Sequence, residues 1–294
     1  MAETVLLPPK AVIYATNFSS SSENAGRYAA LMASRFNTDL IIAHAVMLSQ
    51  AALELEASSG FSVKSMQRRD IETALNESVQ KFAQKVACTR PILLQGSPDE
   101  QIPRLAKENA PALIVLGTQA RSRIDRGLVG SEAERILRSA DCPVLTVGPN
   151  TPVLTDNAAP IRRILYATDL SSAFARGAGY AAGLAKTLNA ELEVLHVVQH
   201  DDAQNAAKLR DAQQRLAQAM VGLKASQAEI QGSPEGVVES GTAHLRILEH
   251  IQKSQIDLLV LSVHHSSHLW LESRLSGAFS IVAQAACPTI TLVG

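Results

Sequence analysis

Residues 112–147 read ALIVLGTQARSRIDRGLVGSEAERILRSADCPVLTV, and this stretch decides the fold. Ala112 to Leu116 is an unbroken apolar run, the pattern of a parallel strand buried on both faces. A polar loop carrying several arginines runs from Gly117 to Gly130. Ser131 opens a helix whose apolar positions, Ala133, Ile136, Leu137 and Ala140, recur at helical spacing. Cys142-Pro143 closes that helix, and Val144 to Val147 is the next strand. A strand, a glycine-bounded loop and a helix start make an anion pocket in α/β proteins, because unpaired N–H groups and the positive helix end point the same way. The same residues have a plainer reading. Ser131-x-x-Glu134 is also a capping box, and Gly117 and Gly130 also suit tight turns.

Composition sets the outer bounds. A chain of 294 residues suggests two domains of about 150. Apolar residues make up 46% and charged residues 19%, which suits a soluble globular protein with real cores. Lys and Arg (27) nearly balance Asp and Glu (28), so no basic field is expected for nucleic acid or an anionic membrane. The segment MAETVLLPPKAVIYATNF lacks the features of a signal peptide, and no apolar run is long enough to span a bilayer. With three cysteines as well, the expected location is a reducing cytoplasm.

The chain repeats itself. Tyr14-Ala15-Thr16-Asn17-Phe18-Ser19-Ser20 returns 152 positions on as Tyr166-Ala167-Thr168-Asp169-Leu170-Ser171-Ser172. The same shift carries Tyr28 to Tyr180, Asn37 to Asn189 and His44 to His196. Later matches, Gly96 with Gly241 and Cys142-Pro143 with Cys287-Pro288, come at a shift of 145. The first copy therefore carries extra residues, expected around Gly60. The implied organisation is a first domain at residues 1–149, a proline-bearing linker at 150–160 and a second domain at 161–294.

Each copy alternates strand and helix, which predicts an open parallel five-stranded sheet with helices on both faces and right-handed crossovers. In the first copy the strands fall near Ala11–Ala15, Leu40–Val46, Ile92–Gln95, Leu113–Gly117 and Val144–Val147. Ligands of such sheets bind beyond the carboxyl ends of the strands where strand order reverses. For order 3-2-1-4-5 the reversal lies between strands 1 and 4, so the loops Thr16–Ser20 and Gly117–Ser131 meet there.

Two features together resemble the universal stress protein family: strand 1 ending in Ala-Thr-Asn/Asp-Phe/Leu-Ser in both copies, and the run from Gly117 through Gly130-Ser131 to Cys142-Pro143-Val144. Nucleotide-binding members carry Gly-x-x-Gly-x9-Gly-Ser/Thr after strand 4. This chain reads Gly117-Thr118-Gln119-Ala120, nine residues, then Gly130-Ser131, with alanine in place of one glycine. The resemblance covers both copies and implies the tandem form of the family, with a Rossmann-like, adenine nucleotide α-hydrolase-like fold. It further implies ATP, with or without Mg, in the first copy. The phosphates would lie against Gly117, Ala120, Gly130 and Ser131, the adenosine over Ala15, Thr16 and Asn17 near Ala45, and Glu132 counts among the cofactor-binding residues. Arg121, Arg123 and Arg126 either add charge there or are solvated. Two departures bear on this site. Ala120 adds a Cβ where the backbone approaches the ligand, and Asn17 stands where the family usually has Asp.

The second copy has Ser262, His265, Leu275 and Ser276 at the motif positions, so no ATP is expected there, with His265 and Leu275 intruding on the phosphate space. His264-His265-x-x-His268 lacks accompanying ligands and reads as a solvated loop rather than a metal site. His44 and His196, at equivalent strand ends, read as structural. Gly177-x-Gly179-x-x-Ala182 falls inside a helix and is no dinucleotide fingerprint. Cys142 and Cys287 read as packing residues, and no nucleophile stands beside an evident base. The expected function is a nucleotide-binding regulatory protein of stress adaptation with an unidentified protein partner. The alternatives are an interaction protein that binds no nucleotide and a weak ATPase for which Asp125 is the loop carboxylate. By family habit the last strands pair across a two-fold axis, making the chain an intramolecular pseudo-dimer and leaving a homodimer open.

Overall fold

The computed structural model describes residues 7–47, 63–118, 129–155, 161–199, 206–226, 234–263 and 271–293. The chain divides into two compact units. One is Pro8–Gly117 with Ser131–Cys142, and the other is Met1–Leu7, Thr118–Gly130 and Pro143–Gly294. The extra residues expected around Gly60 lie outside the described residues except where a helix begins at Val63.

The first unit runs β1 (Ala11–Ala15), α1 (Ser20–Phe36), β2 (Asp39–Val46), α2 (Val63–Ala83), β3 (Thr89–Gln95), α3 (Pro98–Glu108), β4 (Ala112–Gly117) and α4 (Ser131–Ser139). Its strands lie parallel in the order β3-β2-β1-β4. The apolar runs that suggested buried strands are buried: Val12, Ile13, Leu40, Ile41, Ile42, Leu113 and Ile114 are fully enclosed. A parallel strand sandwiched between helices has no wet face, so it has no polar alternation to show.

The second unit holds β5 (Val144–Val147), β6 (Arg163–Thr168), α5 (Phe174–Leu188), β7 (Glu191–Val198), α6 (Ala206–Ser226), β8 (Glu235–Ser240), α7 (Ala243–Lys253), β9 (Leu258–Val263), α8 (Leu271–Gln284) and β10 (Thr289–Val293). Strand order is β5-β10-β9-β6-β7-β8. The five second-copy strands therefore follow the expected order 3-2-1-4-5, all parallel. β5, the last strand of the first copy, pairs antiparallel with β10, the last of the second. The register sets Leu145 opposite Ile290, its own equivalent at a shift of 145, with Thr146 opposite Thr289 and Val144 opposite Thr291. A local two-fold axis thus passes through the Leu145/Ile290 pair, and the Thr146 hydroxyl donates to the Thr289 carbonyl across it (3.0 Å). Among the described residues no helix is long and apolar enough to cross a membrane.

The repeated residues have conformational reasons. Asn37 and Asn189 each end a helix in the left-handed region (φ 52° and 53°), and the Asn37 N–H closes onto Ala33 and Ser34. Asn tolerates that region better than most side chains. Gly96 and Gly241 sit at φ 127° and 141° at the turn into the next helix, where an L side chain is strained.

One small residue has moved between copies. A Cβ at Gly177 would stand 2.3 Å from both the Ser262 hydroxyl and the Tyr166 hydroxyl. The first copy has Ala25 in that place and Gly117 opposite Ser262's position, and there Tyr14 lies over Gly26 instead. Tyr166 is fully buried and sits 3.2 Å from the Ser262 hydroxyl, whereas Tyr14 finds Ser22 on α1. Gly177→Ala is expected to destabilise the protein by about 1–3 kcal/mol through overpacking. Adding Ser262→Gly should recover part of that loss, as read by urea unfolding of the single and double variants.

Candidate functional site

In the first unit the carboxyl ends of β1, β2 and β4 and the first turn of α4 enclose a cleft of 140 Å³. It lies where the chain leaves neighbouring strands β1 and β4, the reversal point of the sheet. Six of the residues singled out in the sequence line it: Ala15, Thr16, Asn17, Ala45, Gly117 and Glu132. Gly130 and Ser131, just ahead of Glu132, are half-buried and exposed respectively and are not among the residues lining this cleft. Ala120, Arg121, Arg123, Asp125 and Arg126 lie outside the described residues.

The floor is built around Thr16. Its side-chain oxygen accepts from the Phe18 N–H (3.0 Å) and from the Ser22 hydroxyl (2.9 Å), and Tyr14 donates to the Ser22 carbonyl (2.7 Å). Burial raises the Tyr14 pKa, its hydrogen bonds to Ser22 and Thr16 opposing, so the ring stays a neutral donor. The turn forces Phe18 to φ 59°, and Leu170 repeats it at 54°. A bulky residue in the left-handed region costs on the order of 1–2 kcal/mol, and finding it in both copies marks a turn that the surrounding contacts dictate. Ser22, buried on this wall, was not singled out in the sequence; the run of serines from Ser19 to Ser22 was the available signal.

Asn17 serves the turn first. Its Oδ1 accepts from the Ser19 N–H (3.1 Å) and hydroxyl (2.6 Å), and the Ser19 oxygen in turn caps α1 at Ser22 (3.3 Å). That leaves the Asn17 amide NH2 as the group free of this turn. Asp169 makes the same turn in the second copy through Ser171 (3.0 Å). His44 Nδ1 donates to the Thr16 carbonyl (2.7 Å), and His196 repeats this with Thr168 (2.9 Å). With Nδ1 as donor, Nε2 is the acceptor of the neutral ring, and the histidine wall of each cleft presents one.

Two glycine readings change with the structure. Gly117 has no left-handed backbone angle and makes no tight turn. It is glycine because a Cβ would stand 2.9 Å from the Ser21 carbonyl, where β4 ends against the first turn of α1. The capping box also fails: Glu134 accepts from Arg138 instead (3.1 and 2.8 Å). α4 starts at Ser131, so its cap position is Gly130, which has no side chain to satisfy the first-turn N–H groups.

The second copy keeps a cleft at the equivalent place, walled by Asp169, His196, Thr242, His244, Ser262 and apolar neighbours, and its volume is 430 Å³. His265, expected with Leu275 to narrow the phosphate space, lies outside the described residues, as do His264, His268 and the side chain of Leu275. No cluster able to hold a metal ion exists among the described residues.

A doubly wound α/β chain with a cleft at the switch point of each copy defines a broad class, which comparison with known proteins narrows. The sequence model of the universal stress protein family matches residues 9–148 and again residues 160–291, so the chain belongs to that family in its tandem form. A universal stress protein of Methanocaldococcus jannaschii is 28% identical over 139 residues, covering 47% of this chain and 81% of that protein. Universal stress protein E of Escherichia coli is 35% identical over 66 residues, 21% of each chain. The crystal structure of a universal stress protein from Archaeoglobus fulgidus overlaps 97% of this chain and 98% of its own with a TM-score of 0.74, at 19% identity, which is a likeness of fold.

Burial pushes the thiols of Cys142 and Cys287 up to about 12, while Cys88 is exposed. A thiol held that high carries almost no thiolate at neutral pH. Titration of the native protein with a maleimide at neutral pH is therefore expected to label Cys88 alone, and all three cysteines after denaturation. Rapid native labelling of Cys142 or Cys287 would contradict the packing role assigned to them.

Proposed function

We propose that the chain is a nucleotide-responsive regulatory protein that binds one adenine nucleotide, ATP by its resemblance to the family, in the cleft of the first copy. The observation that carries this reading is the meeting of Ala15–Asn17, Ala45 and Gly117 with the uncapped start of α4 at the reversal point of the sheet. In this reading the phosphates face the N–H groups after Gly130, with Ser131 as a further donor and the Gly117–Ala120 backbone beside them. The nucleoside lies over Ala15-Thr16-Asn17, offered the Asn17 amide NH2 and the His44 Nε2 as donor and acceptor. Glu132 would repel a bare phosphate, and it is the wall carboxylate able to meet a magnesium ion accompanying the nucleotide. ATP acts here as a ligand that shifts conformation or partner affinity, with at most slow hydrolysis. The second copy, without the glycines, takes no ATP. The β5–β10 pairing stands in for the contact that two separate chains would make, and the cytoplasm is the proposed location.

Two observations favour a second reading, an interaction protein that binds no nucleotide: the Asn17 Oδ1 is engaged by Ser19, and Gly117 has a packing reason of its own.

Calorimetric titration with ATP is expected to show one saturable site, weakened at least about tenfold by Gly130→Asp, which is about 1.4 kcal/mol or more. Asp is a good helix cap, so this variant should melt at or above the wild-type temperature without ligand. At 100 times the wild-type dissociation constant, ATP should stabilise the wild type by about 2.7 kcal/mol and the variant by no more than about 1.4 kcal/mol. No heat and no shift with wild-type protein would favour the second reading.

A further inference from the structure

The second copy contains an ionisable cluster that the first lacks. Glu193 on β7 and Glu239 on β8 face His250 on α7. Nε2 of His250 lies 2.9 Å from a Glu193 carboxylate oxygen, and Nδ1 lies 2.7 Å from one of Glu239. His250 is only 5% exposed. The corresponding residues of the first copy, at the shifts that relate the two repeats, are Ile41, Leu94 and Leu105. Three apolar residues, scattered along the sequence but matched in the fold, have been exchanged together for an acid, a base and an acid.

Carboxylate oxygens against both ring nitrogens suit a doubly protonated ring. An ionised carboxylate can only accept, so hydrogen bonds from both ring nitrogens to carboxylates require both nitrogens to carry protons. The ring is then an imidazolium, largely withdrawn from water and compensated on both sides. The Ser254 hydroxyl, just past the end of α7, lies 3.3 Å from Nε2. Of the other titratable groups on that helix, Arg246 is paired with Glu249 (2.8 Å), while His244 lines the second cleft. Residues 277–284 of the adjacent α8 carry no titratable side chain. The hydrogen bond to Glu193 raises the His250 pKa above its ordinary 6.5, burial opposes, and Glu239 adds to the rise.

We propose that Glu193, His250 and Glu239 form a proton-held latch that pins α7 to β7 and β8, and that loss of one proton in alkaline solution loosens the helix walling the second cleft. Thr242, Ala243, His244 and Ile247, from the start of α7, line that cleft, so the latch and the cleft share one helix. The direction follows from linkage. A group whose pKa is higher in the folded state gives its full contribution below its unfolded value and loses it as pH rises through the folded value. Helix α3, the first-copy equivalent with Leu105 in place of the histidine, has no such dependence.

Hydrogen exchange of the full chain from about pH 6 to about pH 9, corrected for intrinsic exchange rates, tests this directly. Protection of Ala243–Lys253, relative to Pro98–Glu108 in the same molecule, is expected to fall by up to about tenfold per pH unit between the ordinary histidine value and the raised one. A constant ratio would overturn the latch. The triple variant Glu193→Ile, Glu239→Leu, His250→Leu, which restores the first-copy set, should flatten the response; a variant that folds and keeps the full drop overturns it as well. Should that variant not fold, nitrogen NMR of the wild-type His250 ring decides. Two protonated ring nitrogens persisting above the ordinary histidine range support the proposal, and a neutral ring at about pH 6 refutes it.

Discussion

Each cleft depends on one hydrogen bond, from the imidazole at the end of the second strand of a copy to the carbonyl of the threonine ending the first strand. His44 holds Thr16 and His196 holds Thr168 in the same way. The bond ties two parallel strands together just where their backbone ladder ends and the chain must turn away. The threonine hydroxyl then accepts the N–H two residues on, and a left-handed Phe18 or Leu170 follows. Removing the imidazole would leave a carbonyl without its partner and a strained turn without its brace. The same bond recurs in both copies even though other residues lining the two clefts differ.

The two copies also show how a duplicated fold keeps its packing while its site changes. Gly117 lets β4 end against the first turn of α1, and Tyr14 is satisfied from α1 by Ser22. In the second copy Ser262 stands on the strand, Tyr166 turns to it, and the room for the ring is opened at Gly177 on the helix. Loss of a glycine from the motif is therefore no simple decay. The residue that replaced it has a hydrogen-bonding partner and a compensating vacancy next to it. A cleft lined by described residues lies at the equivalent place in both copies.

Much of this was legible in the sequence. Buried parallel strands announce themselves as unbroken apolar runs, and matched Asn37/Asn189 and Gly96/Gly241 pairs mark backbone angles that few residues accept. The parallel sheet followed from the alternation of elements, and the place of the cleft from the order 3-2-1-4-5 taken for it. Less visible were features made by residues distant in sequence. Ser131-x-x-Glu134 has the spacing of a capping box, but the carboxylate goes forward to Arg138, a choice that local spacing does not encode. The packing reason for Gly117 was hidden because its neighbour, the Ser21 carbonyl, is 96 positions away. Glu193, Glu239 and His250 are far apart in the sequence and meet only in the fold, although a residue-by-residue comparison of the copies would have flagged all three.

The pairing of β5 with β10 has a further consequence. Between separate chains, a contact of three residue pairs around one axis would come and go with concentration. Here the two strands belong to one polypeptide, at an effective concentration of the order of millimolar for a flexible tether, so dilution cannot part them. The strands facing each other are also separate stretches of one gene, free to change one at a time. Val144 opposite Thr291 shows that freedom already in use, since the symmetry-related pair is Thr289 opposite Thr146 and the counterpart of Val144 is therefore a threonine.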